Sequence, residues 1–294
     1  CAMKGICKLC GKNDDLRESH FIPKFVGKWI KKTSVTGYIR EKNEVQKRAQ
    51  DIAKEHWLCG DCEQLFSRWE REFANKVFYP FVNEGKSVAS YGNWMSKFCA
   101  SLSWRTLTYI RSKNPNDEND GERKVLLDAA QEHLRKYLIS EADNLNQYEQ
   151  HLFPLEKIES TDSQDLPPSI NRYFLRIMGM DIVGNSTDQY VFTKLPSFML
   201  LGVIKARNVK PIRSSRIAVN SGVLSPKKYR WPDGLASYIF EKADEIIELH
   251  QRIPQKHLES FDKYIRENPE KVIKSRQFQA FLDDYERFGD DVFS

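Results

Sequence analysis

The chain has 294 residues, 40% hydrophobic and 30% charged, which is the balance of a folded globular protein with room for two domains and excludes a fibrous or disordered chain. No apolar run reaches the length that spans a bilayer, so no membrane partner is expected. The net charge is +5, and its placement says more than its size: residues 1–80 hold 16 Lys+Arg against 11 Asp+Glu, while the remainder balances at 30 against 30.

Met3 reads as the natural start, which leaves Cys1 and Ala2 outside the argument. The first motif is Cys7-Lys8-Leu9-Cys10, and its counterpart is Cys59-Gly60-Asp61-Cys62. Two residues between thiolates let one tight turn present both sulfurs to a single metal, and two such turns complete a tetrahedral four-cysteine shell. A disulfide framework is the competing reading. The chain shows no apolar secretory leader, and only Cys1 and Cys99 lie outside the pairs, so a reducing, cytoplasmic setting and a zinc ion are expected. A closed shell of four thiolates has no open coordination position, so this zinc is expected to staple the fold, and any catalytic metal has to sit elsewhere.

Between the two pairs lie Ser19-His20-Phe21-Ile22-Pro23 and then a basic stretch. From Lys24 to Lys54 there are nine basic residues, Lys24, Lys28, Lys31, Lys32, Arg40, Lys42, Lys47, Arg48 and Lys54, against Glu41, Glu44 and Asp51. Interleaved with Trp29 and Tyr38, the run reads as a phosphate-facing surface or as a solvated loop, and its place between metal ligands favours nucleic acid.

Phe66, Trp69 and Phe73 recur at helical spacing after Cys62, so the last two thiolates open an amphipathic helix whose aromatic face is expected to pack on the zinc knuckle rather than stack on bases; Pro80 ends the helix or follows it closely. Trp94–Arg111 reads as a largely buried helix, with Cys99 a small hydrophobe within it. Asn114–Gly121 is an acidic, turn-rich connector, Arg123–Leu138 a helix, and Asp162–Ser169 a loop that marks an internal boundary.

From Asn171 the pattern turns β-branched and aromatic. Tyr190–Thr193 and Phe198–Ile204 read as strands, with Ile217-Ala218-Val219 a candidate third, and helices are expected near Leu235–Gln251, Gln255–Glu267 and Ser275–Arg287. The fold class is α+β. It divides into an N-terminal zinc-stapled module at 3–80, a helical region at 81–165, and an α+β C-terminal domain with a small sheet at 166–294.

Read in order, the first CxxC, Leu16-Arg17-Glu18-Ser19-His20-Phe21-Ile22-Pro23, the basic stretch, and Trp57-Leu58-Cys59-Gly60-Asp61-Cys62-Glu63 resemble the zinc-containing HNH endonucleases over about residues 6–75. The resemblance implies a ββα-metal fold, with His20 as the general base and flanking side chains holding one catalytic divalent ion, Mg²⁺ or Mn²⁺, against the scissile phosphate. The chemistry is sound: imidazole titrates near neutrality and can take a proton from water, while a hard cation neutralises charge developing on phosphate. Two positions depart from the family. Ser19 stands where it typically has His or Asp, and Glu63 where it commonly has His, although a carboxylate is itself a good ligand for such an ion. The family's intermediate Asn falls about where Lys54 stands; Gln50, Asp51 and His56 are candidates to replace it, Asp51 as metal ligand and His56 as a second imidazole.

The implied function is hydrolysis of phosphodiester bonds, DNA ahead of RNA, in a bacterial or phage-defence setting, with Lys24, Lys28, Lys31, Lys32 and Arg48 on the nucleic-acid backbone. The C-terminal domain would select targets, recruit a protein partner or form a homo-oligomer. The alternative is a non-catalytic zinc module that binds nucleic acid or a partner protein. His133, His151, His250 and His257 lack ligand-like spacing and read as surface or capping histidines, and no P-loop or GxGxxG is present.

Overall fold

Met3–Ile6 (β1) and Asn13–His20 (β2) form an antiparallel hairpin with Ile6 opposite Asn13, and Lys54–Cys59 (β3) adds to the other edge of β2, giving the order β1-β2-β3. The computed structural model describes residues 3–37, 53–114, 121–163 and 165–293. Arg48, Gln50 and Asp51, and most of the acidic connector, lie outside the described residues. The β2–β3 register shifts between Arg17 and Glu18, which face Leu58 and His56 and leave Trp57 as the extra residue of β3.

Lys24–Thr33 (α1) follows Pro23, which sits at its N-terminal boundary, and buries Val26, Trp29 and Ile30. Gly60–Phe73 (α2) starts directly from Cys59 at the end of β3. Its aromatic stripe serves two cores rather than one: Phe66 packs among Cys7, Cys59 and Cys62, whereas Phe73 stacks on Phe98 at 4.1 Å in the core that α1 covers. The chain stays helical through a π-helical turn at Ala74–Phe78 into Tyr79–Glu84 (α3), so Pro80 lies just past that turn and does not end the helical run. Gly85 closes this run at φ +67°, a conformation that favours glycine.

Ala89–Tyr91 (β4) leads into Trp94–Lys113 (α4), the central helix of the molecule. It packs on α2, on Gly121–Leu138 (α5), and on one face of a four-stranded antiparallel sheet. That sheet has the order β5-β8-β7-β6, from Gln150–Pro154 (β5), Gly179–Gly184 (β6), Gln189–Leu195 (β7) and Phe198–Lys205 (β8). Helix and sheet approach closely because α4 presents small polar residues that find partners: Ser103 Oγ donates to Gln150 Oε1 at 2.6 Å, and Thr106 and Thr193 hydroxyls meet at 2.7 Å. Gly202 is required there, since a Cβ would lie 3.0 Å from the Ser103 Cβ and closer still to its Oγ.

Strand β5 lies before the division at 165/166, so the elements on both sides of that division share one sheet. Ile170–Arg176 (α6) is helical where the sequence pattern suggests only strands, and Ile217–Val219 makes no strand: Ile217 N donates to Gln150 O, and the strand that pairs with β4 is Gly222–Leu224 (β9). The C-terminal helices fall at Leu235–Gln251 (α7), Gln255–Glu267 (α8), Pro269–Ile273 (α9) and Arg276–Phe288 (α10). Among the described residues no helix is long and apolar enough to cross a membrane.

Candidate metal centre and adjoining histidine

The knuckle between β1 and β2 is a backbone-built turn. Gly11 N donates to Cys7 O at 2.9 Å, Cys7 N to Lys12 O at 2.8 Å, and Gly11 takes φ +73°, which lets the chain reverse just after Cys10. Lys8 N donates to Trp57 O at 2.9 Å, tying the turn to β3, whose last residue Cys59 begins α2. The four ligand sulfurs of Cys7, Cys10, Cys59 and Cys62 thereby lie within 4.8 Å of one another, with Cys10 and Cys59 sulfurs 3.8 Å apart. A tetrahedron with Zn–S bonds of about 2.3 Å has an S···S edge of about 3.8 Å, so the spacing fits a single zinc-sized ion.

Charge supports the same conclusion. The Cys62 thiol lowers the pKa of the Cys7 sulfur it hydrogen-bonds, while the same contact and burial push Cys62 up. Four thiolates this close repel one another, and a bound cation allows all four to ionise. Cys7, Cys59 and Cys62 are buried beside Leu9, Trp57 and Phe66, so the side chains that could hold a metal are also core side chains. Among the described residues this is the one group of three or more Cys, His, Asp or Glu whose ligand atoms converge in this way.

Glu63 is the residue after Cys62, in the first turn of α2, half-buried. Burial pushes its carboxyl pKa up, opposed by a hydrogen bond with Ser19 and by the charges of Arg105 and His20. Ser19 is buried on the inner face of β2; its other acceptor, Arg17 O, is 3.4 Å away, beyond the usual hydroxyl range. The two positions that depart from the HNH pattern therefore touch each other. His20, at the end of β2, pairs across the ladder with Lys54, and Glu18 pairs with His56. Glu18 is held below the usual carboxylate range chiefly by its hydrogen bond from Lys54 at 2.9 Å, and also by the charges of His56 and His20. Both histidines are half-buried. His20, His56 and Glu63 do not converge into a second metal-ligand group, and Asp51 lies outside the described residues.

No family model, curated protein or solved structure matches this chain. What the site can do is therefore argued from its own side chains.

Lys24, Lys28 and Lys32 are exposed and Lys31 half-buried on α1, opposite the face that carries Val26, Trp29 and Ile30. The stripe begins four residues after His20. Arg48 lies outside the described residues. Sequence reasoning missed Arg105, which reaches from α4 under the end of β2. Its Nη1 donates to His20 O at 3.0 Å and to Glu70 Oε1 at 2.7 Å, and its guanidinium lies 5.1 Å from the Phe66 ring centroid. The one signal was an arginine inside an otherwise buried helix. His151, read as surface or capping, is fully buried in β5, with Nδ1 3.0 Å from Ile212 O and Nε2 3.5 Å from Glu149. His133 lies within α5, with its Nε2 2.9 Å from the loop carbonyl Asn144 O.

Proposed function

We propose that residues 3–80 form a zinc-stapled nuclease module of the HNH kind, which hydrolyses phosphodiester bonds of nucleic acid, DNA ahead of RNA. The four-cysteine centre holds structural zinc. His20 takes the proton from the attacking water, and Glu63, with Asp51, supplies carboxylate oxygens for Mg²⁺ or Mn²⁺. When bound, that ion neutralises charge at the scissile phosphate. The lysines of α1, with Arg48, would hold the phosphate backbone.

The observation that carries this reading is one of placement. Because Cys59 ends β3 and Cys62 sits in the first turn of α2, the four-cysteine cluster keeps Glu63 next to Ser19, the residue before His20. This neighbourhood of β2 and α2 supports the reading of His20 as base and Glu63 as carboxylate ligand. Arg105 supports the arrangement by fixing the His20 carbonyl to Glu70 of α2. The test is Glu63→Ala: Mn²⁺-dependent plasmid cleavage should be lost while zinc content and DNA binding stay at the wild-type level. Cleavage by Glu63→Ala at the wild-type rate would remove Glu63 from the site.

A second reading has its own support. Ser19 lowers the Glu63 carboxyl pKa against the effect of burial, and the described residues gather no second set of three metal ligands. That arrangement suits a zinc module that binds nucleic acid or protein without cutting. Its signature is salt-dependent DNA binding with no cleavage in Mg²⁺, Mn²⁺ or Ni²⁺.

A further inference from the structure

Away from the metal centre, a half-open cavity of about 210 Å³ lies where α1 and α3 meet α6 and α10. Its wall carries two guanidiniums. Arg176, at the end of α6, is fixed by Thr33 Oγ1 at 2.6 Å, by Ile30 O at 3.1 Å and by the Trp29 ring 4.9 Å from its guanidinium carbon. Arg276, at the start of α10, donates to Asn83 O at 3.3 Å. Among the described residues no carboxylate is within ion-pair distance of either. Burial lowers the Arg176 pKa to about 10, and the neighbouring charge of Arg276 adds to the effect.

A desolvated cation facing a second cation is costly unless an anion joins them. The cavity's own acids do not fill that role. Asp283 faces Lys157 at 3.7 Å, and burial raises its carboxyl pKa, while Glu156 is exposed at the rim. The opposite wall is apolar, with Phe81, Leu155 and Leu175. The half-open cavity has room for a phosphate carrying a small apolar body.

We propose that this cavity is a binding site for a small organic phosphate monoester, its phosphate held between Arg176 and Arg276 and its apolar portion against Phe81 and Leu175. A dianionic phosphate offers enough oxygens to accept from both guanidinium forks at once, whereas a carboxylate saturates one. A ligand there would bridge α1, which carries the lysine stripe, to α6 and α10.

The test is calorimetric titration of the full zinc-loaded chain with phenyl phosphate at fixed ionic strength, with phenol as the uncharged control. Saturable binding of phenyl phosphate and none of phenol is expected. Arg276→Gln should weaken binding by about tenfold or more, one charge-assisted contact's worth. Arg176→Gln should abolish it, and Lys263→Gln on α8 should bind as wild type does. Arg176 also supports α1, so Arg276→Gln, which gives up a single backbone contact, decides the matter if Arg176→Gln misfolds. No saturable binding by wild type at millimolar ligand, or equal affinity in wild type and Arg276→Gln, would overturn the site.

Discussion

Replacing Arg105 by Met is the most informative single perturbation of the packing that holds His20. The side chain is 4% exposed and its partner Glu70 19%, so the pair sits largely out of water. Met retains length and the apolar contact with Phe66 but removes both Nη1 bonds, stranding the Glu70 carboxylate and the His20 carbonyl. Breaking a buried pair from one side costs about 3–5 kcal/mol, and partial exposure of Glu70 places this case near about 3; the orphaned carbonyl adds about 1. Glu70→Leu alone strands the guanidinium and should cost about 3 kcal/mol. The double variant Arg105→Met/Glu70→Leu strands neither charge, so it should cost no more than either single change, at about 1–2 kcal/mol. Urea denaturation of the zinc-loaded chain at neutral pH measures all three. A single-variant loss below about 1 kcal/mol, or additive losses near about 6–7 kcal/mol in the double, would refute the claim that this pair clamps β2 to α2.

The remaining predictions concern the staple, the sheet and pH. Elemental analysis should find one zinc per chain, and Cys62→Ser should lose it and lower the melting temperature, because the ligands are core residues of the same cluster as Leu9 and Phe66; full zinc retention by Cys62→Ser would exclude it as a ligand. Gly202→Ala should cost about 1–3 kcal/mol by overpacking against Ser103, and an unchanged urea midpoint would show that α4 lies farther from β8. Burial depresses the His151 pKa below the ordinary imidazole value, outweighing the opposing effects of the Ile212 carbonyl and Glu149. The unfolded chain then binds the proton more readily, so the stability His151 contributes is present above about pH 6.5 and falls as pH drops below it. Comparison of wild type with His151→Gln at pH 7.5 and 5.5 should show the steeper loss in wild type, and parallel losses would refute it.

The four-cysteine cluster was legible because its signal is local: each CxxC turn fixes its own pair of thiols, and only the meeting of the two turns needed the fold. The helices α4, α5, α7 and α8 were legible from periodicity over many turns, as were β7 and β8 from their β-branched and aromatic runs. Strand β5 was not, because Gln150 and His151 interrupt its apolar character and find partners such as Ser103 and Ile212 only once the sheet has formed. The same reason hid Arg105, whose partner Glu70 lies 35 residues earlier. Ser19 and Glu63 looked in the sequence like two separate departures from the HNH pattern; their contact is a consequence of the register of β2 against β3 and of where α2 begins.

The proposed chemistry rests on His20, and the most direct measurement is cleavage of supercoiled plasmid and single-stranded DNA by zinc-loaded wild type and His20→Ala in Mg²⁺, Mn²⁺ and Ni²⁺. Wild type should cut, and His20→Ala should be slower by about 10²–10⁴-fold, the usual contribution of a general base, with its zinc content and melting temperature unchanged. Absence of cleavage by wild type in every metal, or equal rates for the two proteins, would contradict the nuclease account and leave the four-cysteine centre as the staple of a binding module.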